Sequence, residues 1–138
     1  MEADFQLHER LENDTIHVED WDLSRVLLAK DANYPWLILV PRRSDLKEVH
    51  DLSSPDLAAA SAEIVRASRA LDDLFKPQKI NLAALGNQVP QLHIHVIARF
   101  SDDPSWPAPV WGAVPPRPYE ATELQQRLRA LRDAFSRA

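Results

Sequence analysis

Two histidines, His93 and His95, stand two residues apart in the apolar run Gln91-Leu92-His93-Ile94-His95-Val96-Ile97, and a glutamine stands two positions before the first. In an extended segment successive side chains point to opposite faces. Gln91, His93 and His95 therefore form one polar row, and Leu92, Ile94, Val96 and Ala98 form the buried one. Near neutral pH imidazole serves as nucleophile, proton carrier or metal ligand. A lone His-x-His pair is as readily explained by solvent-facing or structurally bonded histidines. The segment before it shifts the balance.

That segment, Asn81-Leu82-Ala83-Ala84-Leu85-Gly86-Asn87-Gln88-Val89-Pro90, reads as a strand, a turn at Gly86-Asn87 and a return into the histidine strand. Backbone amides and the side-chain amides of Asn87 and Gln88 gather beside the imidazoles. Exposed N–H groups in a turn make a concave donor site that cradles an anion without a lysine.

These residues resemble the histidine triad (HIT) superfamily, whose pattern is His-φ-His-φ-His-φ-φ with φ apolar. Here Gln91 takes the first of the three positions. Upstream, Trp36-Leu37-Ile38-Leu39-Val40-Pro41-Arg42-Arg43 is similar to the family's apolar strand ending in Pro and basic residues. A helix and the Gly-containing loop follow it in the family's order, so the resemblance covers about residues 23–99. It implies that His93 attacks a nucleotide α-phosphate to form a nucleotidyl-histidine intermediate, resolved by water or another acceptor. A neutral imidazole does this well when one ring nitrogen is free and the other donates to a fixed acceptor, in the family a backbone carbonyl of the same segment. His95 then sits beside the phosphoryl oxygens as a donor to developing charge or to the leaving group. The scheme requires no metal and no cofactor.

Two departures stand out. Gln91 cannot titrate, so at that position a hydrogen-bonding, supporting role survives and an acid–base role does not. Trp36 falls where many members carry a histidine on the apolar strand. Gly86, Asn87 and Gln88 fall where the family places a Gly, an amide and a hydroxyl near the phosphate, and Asp31 matches the residue that binds ribose hydroxyls. With Asn81 these make up the candidate substrate-binding set.

A chain of 138 residues suffices for a sheet-and-helix core, and the expectation is a single HIT-like domain spanning 1–138. Without cysteine, disulfides, a thiolate nucleophile and Cys-ligated zinc are excluded. The longest apolar run, residues 36–40, is far short of a membrane span. The acidic start Met1-Glu2-Ala3-Asp4 is unlike a signal peptide, so a cytoplasmic location is expected. A net charge of −5 argues against broad nucleic-acid binding and leaves a small phosphorylated ligand allowed.

Along the chain the pattern predicts a short helix or turn over residues 5–11 and strands over 15–18, 24–29 and 36–40, the last apolar on both faces and central. Ser53-Ser54-Pro55-Asp56 opens a helix. Its stripe of Leu57, Ala60, Ile64, Ala67, Leu71 and Leu74 runs to Phe75, and Lys76-Pro77 ends it. Six of eleven prolines lie between Pro104 and Pro118, marking an extended arm over 101–119 that carries Trp106 and Trp111. Packing of these tryptophans on the core is one reading. A functional reading takes Ser105-Trp106-Pro107, similar to a Trp-Pro element of HIT proteins, into the site. Thr122 and Gln125 predict a capping box for a final helix over 122–138. Arg42, Arg43 and Lys47 read as a solvated strand end, and Arg127, Arg129, Arg132 and Arg137 as the wet face of the last helix.

The fold expected is α+β: a mostly antiparallel sheet of about five strands with packed helices, the hairpin over 81–98 carrying the site. By resemblance the function is that of a nucleotide hydrolase or nucleotidyl transferase, a homodimer acting on a nucleotide or nucleotide conjugate such as a dinucleoside polyphosphate or nucleoside phosphoramidate. The alternatives are a non-catalytic nucleotide-binding or scaffold protein and, ranked last because Gln91 sits where a third ligand belongs, a His-based metal-binding protein.

Overall fold

The computed structural model describes residues 4–138. Most of the acidic start, residues 1–3, therefore lies outside the described residues. Five strands form one antiparallel sheet: β1 (Thr15–Asp20), β2 (Ser24–Ala29), β3 (Trp36–Pro41), β4 (Lys79–Ala83) and β5 (Ile94–Arg99), in the order β1-β2-β3-β5-β4. Helix α1 (Glu9–Asp14) precedes the sheet, α2 (Ser54–Phe75) links β3 to β4, and α3 (Ala121–Arg137) closes the chain. The expected α+β class is the observed one.

Strand alternation divides the molecule. Val26, Leu28, Leu37, Leu39, Ile94, Val96 and Ala98 face the helices and pack with Ala67 and Leu71 of α2 and with Leu128, Leu131 and Phe135 of α3. Leu92 joins the same cluster, so all four members of the expected apolar row are buried there. The other face carries Leu27, Ala29, Ile38 and Val40 under Leu11, and Ile97 under Tyr34 and Val110. Both faces of β3 are covered, which is why its sequence is apolar without alternation.

Helix α2 starts where its cap predicts. The Ser53 hydroxyl accepts from the Asp56 amide at 3.2 Å, Pro55 sits in the first turn, and Lys76 ends the helix in the left-handed region. Three boundaries differ from expectation. Helix α1 begins only at Glu9, because the His8 imidazole accepts from the Arg10 amide at 3.1 Å and residues 5–8 are held against Gln91 instead. Helix α3 begins at Ala121, so Thr122 lies within its first turn and no side chain caps it. The hairpin expected over 81–98 has a long connection: residues 84–93 lie outside both strands, and β5 starts only at Ile94.

Two arginine expectations are also corrected. Arg42 is buried, its guanidinium bonded to the backbone carbonyls of Trp21, Asp22 and Leu23, while Glu63 of α2 accepts from the amides of Leu23 and Ser24 at 2.9 and 3.0 Å. The β1–β2 turn is thereby fixed from both sides by ionic groups whose hydrogen bonds are filled. Arg132 of α3 is not merely wet, since it donates to the Val18 carbonyl at 3.0 Å.

Candidate active site

A cleft of about 680 Å³ opens on the sheet face away from α2 and α3. Its floor comes from Trp36 and Ile38 of β3 and from His93 and His95. One wall is the loop Leu85 to Val89, another is the arm at Val110, Trp111 and Gly112. The rest is built by α1 and the ends of β1 and β2, with Arg10, Asp14, Thr15, Lys30 and Asp31.

His93, the residue just before β5, is only 7% exposed, and its exposed edge faces the cleft. Its Nδ1 lies 2.6 Å from the Gln91 carbonyl oxygen. A carbonyl can only accept, so the proton sits on Nδ1 and Nε2 keeps its lone pair. The chain bends at Gln91, ahead of β5, and the carbonyl of residue 91 meets the ring two positions later.

His95, 6% exposed, is set on β5 opposite Ile38 of β3 and Ala83 of β4. Its Nδ1 accepts from the indole N–H of Trp36 at 2.9 Å, so its proton sits on Nε2. Burial, with a smaller contribution from the neighbouring His93, pushes its pKa down from 6.5 to about 4. At neutral pH it is an uncharged donor. The two imidazoles stand 5.0 Å apart between ring centroids.

Gln91, by contrast, does not join the polar row. Because β5 starts only at Ile94, strand alternation does not extend back to it. Its side-chain oxygen accepts from the His8 amide at 2.8 Å and its nitrogen donates to the Gln6 carbonyl at 2.9 Å. The side chain fastens the N-terminal segment and lines no part of the cleft. Asn81 is also elsewhere: its Oδ1 accepts from Arg99 at 3.0 Å, in a buried cluster where Arg99 also forks onto Asp103 at 2.8 and 3.1 Å. That cluster ties β4 and β5 to the segment after β5, and Asn81 does not line the cleft.

Gly86, Asn87, Gln88 and Asp31 all reach the cleft. Gly86 has φ +70°, a conformation that costs other residues energy, and a Cβ there would stand 3.3 Å from the Val89 carbonyl. Among the described residues, the amides of Gly86, Asn87 and Gln88 donate to no protein acceptor, which leaves them for an anion. Asp31 is buried, and one of its oxygens, Oδ1, accepts from the amides of Asn33 and Arg117 at 2.9 and 3.2 Å. Among the described residues Oδ2 has no such partner. The set expected from the sequence is thus divided: His93, His95, Asp31 and the Gly86 loop converge, and Gln91 and Asn81 do not.

The arm supplies what the motif did not indicate. Trp111, 36% exposed, lies edge-on to Trp36 at 6.0 Å and to His95 at 5.1 Å. Trp106, the residue of the Trp-Pro element, instead packs over Arg99 and stays outside the cleft. The arm is tied down where Ala32 donates to the Arg117 carbonyl and the Arg117 guanidinium donates to the Ala32 carbonyl. Only the proline spacing around Trp111 hinted at a fixed aromatic there. Among the described residues no three His, Asp or Glu side chains come together to hold a metal ion.

An antiparallel sheet whose inner strand presents a tautomer-fixed histidine pair to a cleft beside a glycine loop is the architecture of histidine triad proteins. The family model of the HIT domain matches residues 10–102, and the chain belongs to that family. A histidine triad protein from Bradyrhizobium japonicum is 53% identical, with a TM-score of 0.94 over 95% of this chain and 98% of that one. Histidine triad proteins from Marinobacter aquaeolei VT8 and Sinorhizobium meliloti 1021 are 42% and 41% identical, each with a TM-score of 0.93. Each alignment covers 96% of this chain, and respectively 97% and 98% of the other. Among curated proteins, none matches the sequence.

Proposed function

We propose that this chain is a nucleotide hydrolase or nucleotidyl transferase that acts at an α-phosphate through a nucleotidyl-His93 intermediate. The observation that carries this reading is the 2.6 Å contact between His93 Nδ1 and the Gln91 carbonyl. It leaves the Nε2 lone pair directed into the cleft and gives the ring a fixed acceptor for the Nδ1 proton as positive charge develops on attack. The free amides of the Gly86 loop and the Nε2–H of neutral His95 supply donors to the phosphoryl oxygens. Asp31 Oδ2 suits ribose hydroxyls, and Trp111 offers an apolar face to the rest of the ligand.

In this reading Gln91 contributes through its backbone carbonyl rather than its amide, so a glutamine at the first triad position leaves the nucleophile's support intact. Homodimerisation belongs to the same proposal: β4 is an outer strand of the sheet and exposes Leu82 beside its free edge. No helix among the described residues is long and apolar enough to cross a membrane. A cytoplasmic location is proposed with the function.

The test is His93→Ala assayed on a panel of activated nucleotides. Turnover should disappear while the urea transition stays cooperative, because the imidazole faces the cleft. Hydrolysis at the wild-type rate by the folded variant would refute the assignment.

A further inference from the structure

Trp36 makes the environment of His95 one-sided. An indole nitrogen only donates, so the 2.9 Å bond to His95 Nδ1 requires a bare lone pair there. A second proton on the ring would set N–H against N–H and break that bond. The ring is otherwise enclosed by Trp111 at 5.1 Å and His93 at 5.0 Å, with Ile38 and Ala83 opposite it on the neighbouring strands. Among the described residues no carboxylate stands against it to stabilise an imidazolium. His95 can therefore offer a hydrogen bond from Nε2, but it cannot store and deliver a full proton.

We propose that Trp36 is a positioning residue that holds His95 as a neutral Nε2–H donor, and that the site thereby selects nucleotide conjugates whose leaving group departs as a stable oxyanion, a phosphate or carboxylate, over conjugates joined through an amine. This rests on the hydrolase reading above. In the first step the His93 Nε2 lone pair forms the bond to the α-phosphorus as the bond from phosphorus to the leaving oxygen breaks. That electron pair stays on the leaving group, which needs only the hydrogen bond from His95. In the second step water attacks phosphorus, the P–Nε2 electrons return to His93, and the proton of water passes to solvent. An amine leaving group follows the same path only if its nitrogen is protonated as the P–N bond breaks. Neutral His95 does not supply that proton.

The test combines nitrogen-15 NMR of the histidine rings with rates for a nucleoside acyl-phosphate or polyphosphate and for a nucleoside phosphoramidate. In the wild-type protein His95 Nδ1 should resonate as an unprotonated acceptor and Nε2 as protonated. In Trp36→His, where residue 36 can accept as well as donate, the amide-to-anhydride rate ratio should rise at least ~10-fold, within the ~10²–10⁴ that general acids contribute. A wild-type His95 protonated on Nδ1, or an unchanged ratio in folded Trp36→His, would overturn the proposal. Should Trp36→His not fold, the wild-type spectrum still decides the tautomer. Absence of turnover on every conjugate would overturn the hydrolase reading and the selection that rests on it, with the spectrum reading the Trp36 lock separately.

Discussion

Lowering the pH should destabilise this protein through His95 well before its carboxylates titrate. The ring is pushed from 6.5 to about 4 by burial and by His93. Between those values the unfolded chain binds a proton that the folded chain refuses, so stability falls as pH falls through that window. Two-state linkage with these two values gives a loss of ~2 kcal/mol between pH 7 and pH 5. His95→Asn is the control, because its side-chain oxygen can still accept from the Trp36 indole while it cannot titrate. Urea denaturation of both proteins at pH 7 and pH 5 isolates the difference, since the two chains are otherwise identical. The wild type should lose about 2 kcal/mol more than the variant. Parallel losses would mean that His95 charges freely in the fold, and the account of a dry, neutral donor would fail.

Four further outcomes follow from the geometry. Arg99→Leu strands the Asp103 carboxylate in a site where Arg99 is 1% exposed, and should cost ~3–5 kcal/mol in urea denaturation. Gly86→Ala forces a side chain to φ +70° against the Val89 carbonyl and should cost ~1–2 kcal/mol, with nucleotide affinity falling as the loop shifts. Gln91→Ala loses two hydrogen bonds to the N-terminal segment, so stability should drop by ~1–3 kcal/mol while kcat stays within about tenfold. Asp31→Asn keeps an acceptor for Asn33 and Arg117 but weakens ribose binding; isothermal titration should register a loss for the ribonucleotide and none for its dideoxy analogue.

How much of this was legible in the sequence depended on how local the determinants were. Strand β2 and helix α2 were readable because alternation, the Ser53 cap and the Lys76-Pro77 stop are written within a few residues of the structure they make. His93 and His95 were readable for the same reason. Gln91 misled because its neighbours suggest an alternating strand, whereas its partners Gln6 and His8 lie more than eighty residues away in the chain. Arg42 likewise looked like a strand-end charge because the carbonyls that bury it belong to the turn before β2. Trp36 was visible as a departure, but its role depends on the pairing of β3 with β5. Trp111 needed the arm's anchor at Asp31 and Ala32 to bring it over the cleft.

The most direct test of the central claim is to quench wild-type protein during turnover of an activated nucleotide under alkaline conditions and map the labelled peptide by mass spectrometry. The account predicts one nucleoside monophosphate attached to His93, absent from His93→Ala and retained in Gln91→Ala. Steady hydrolysis with no adduct, or an adduct on His95, would contradict it.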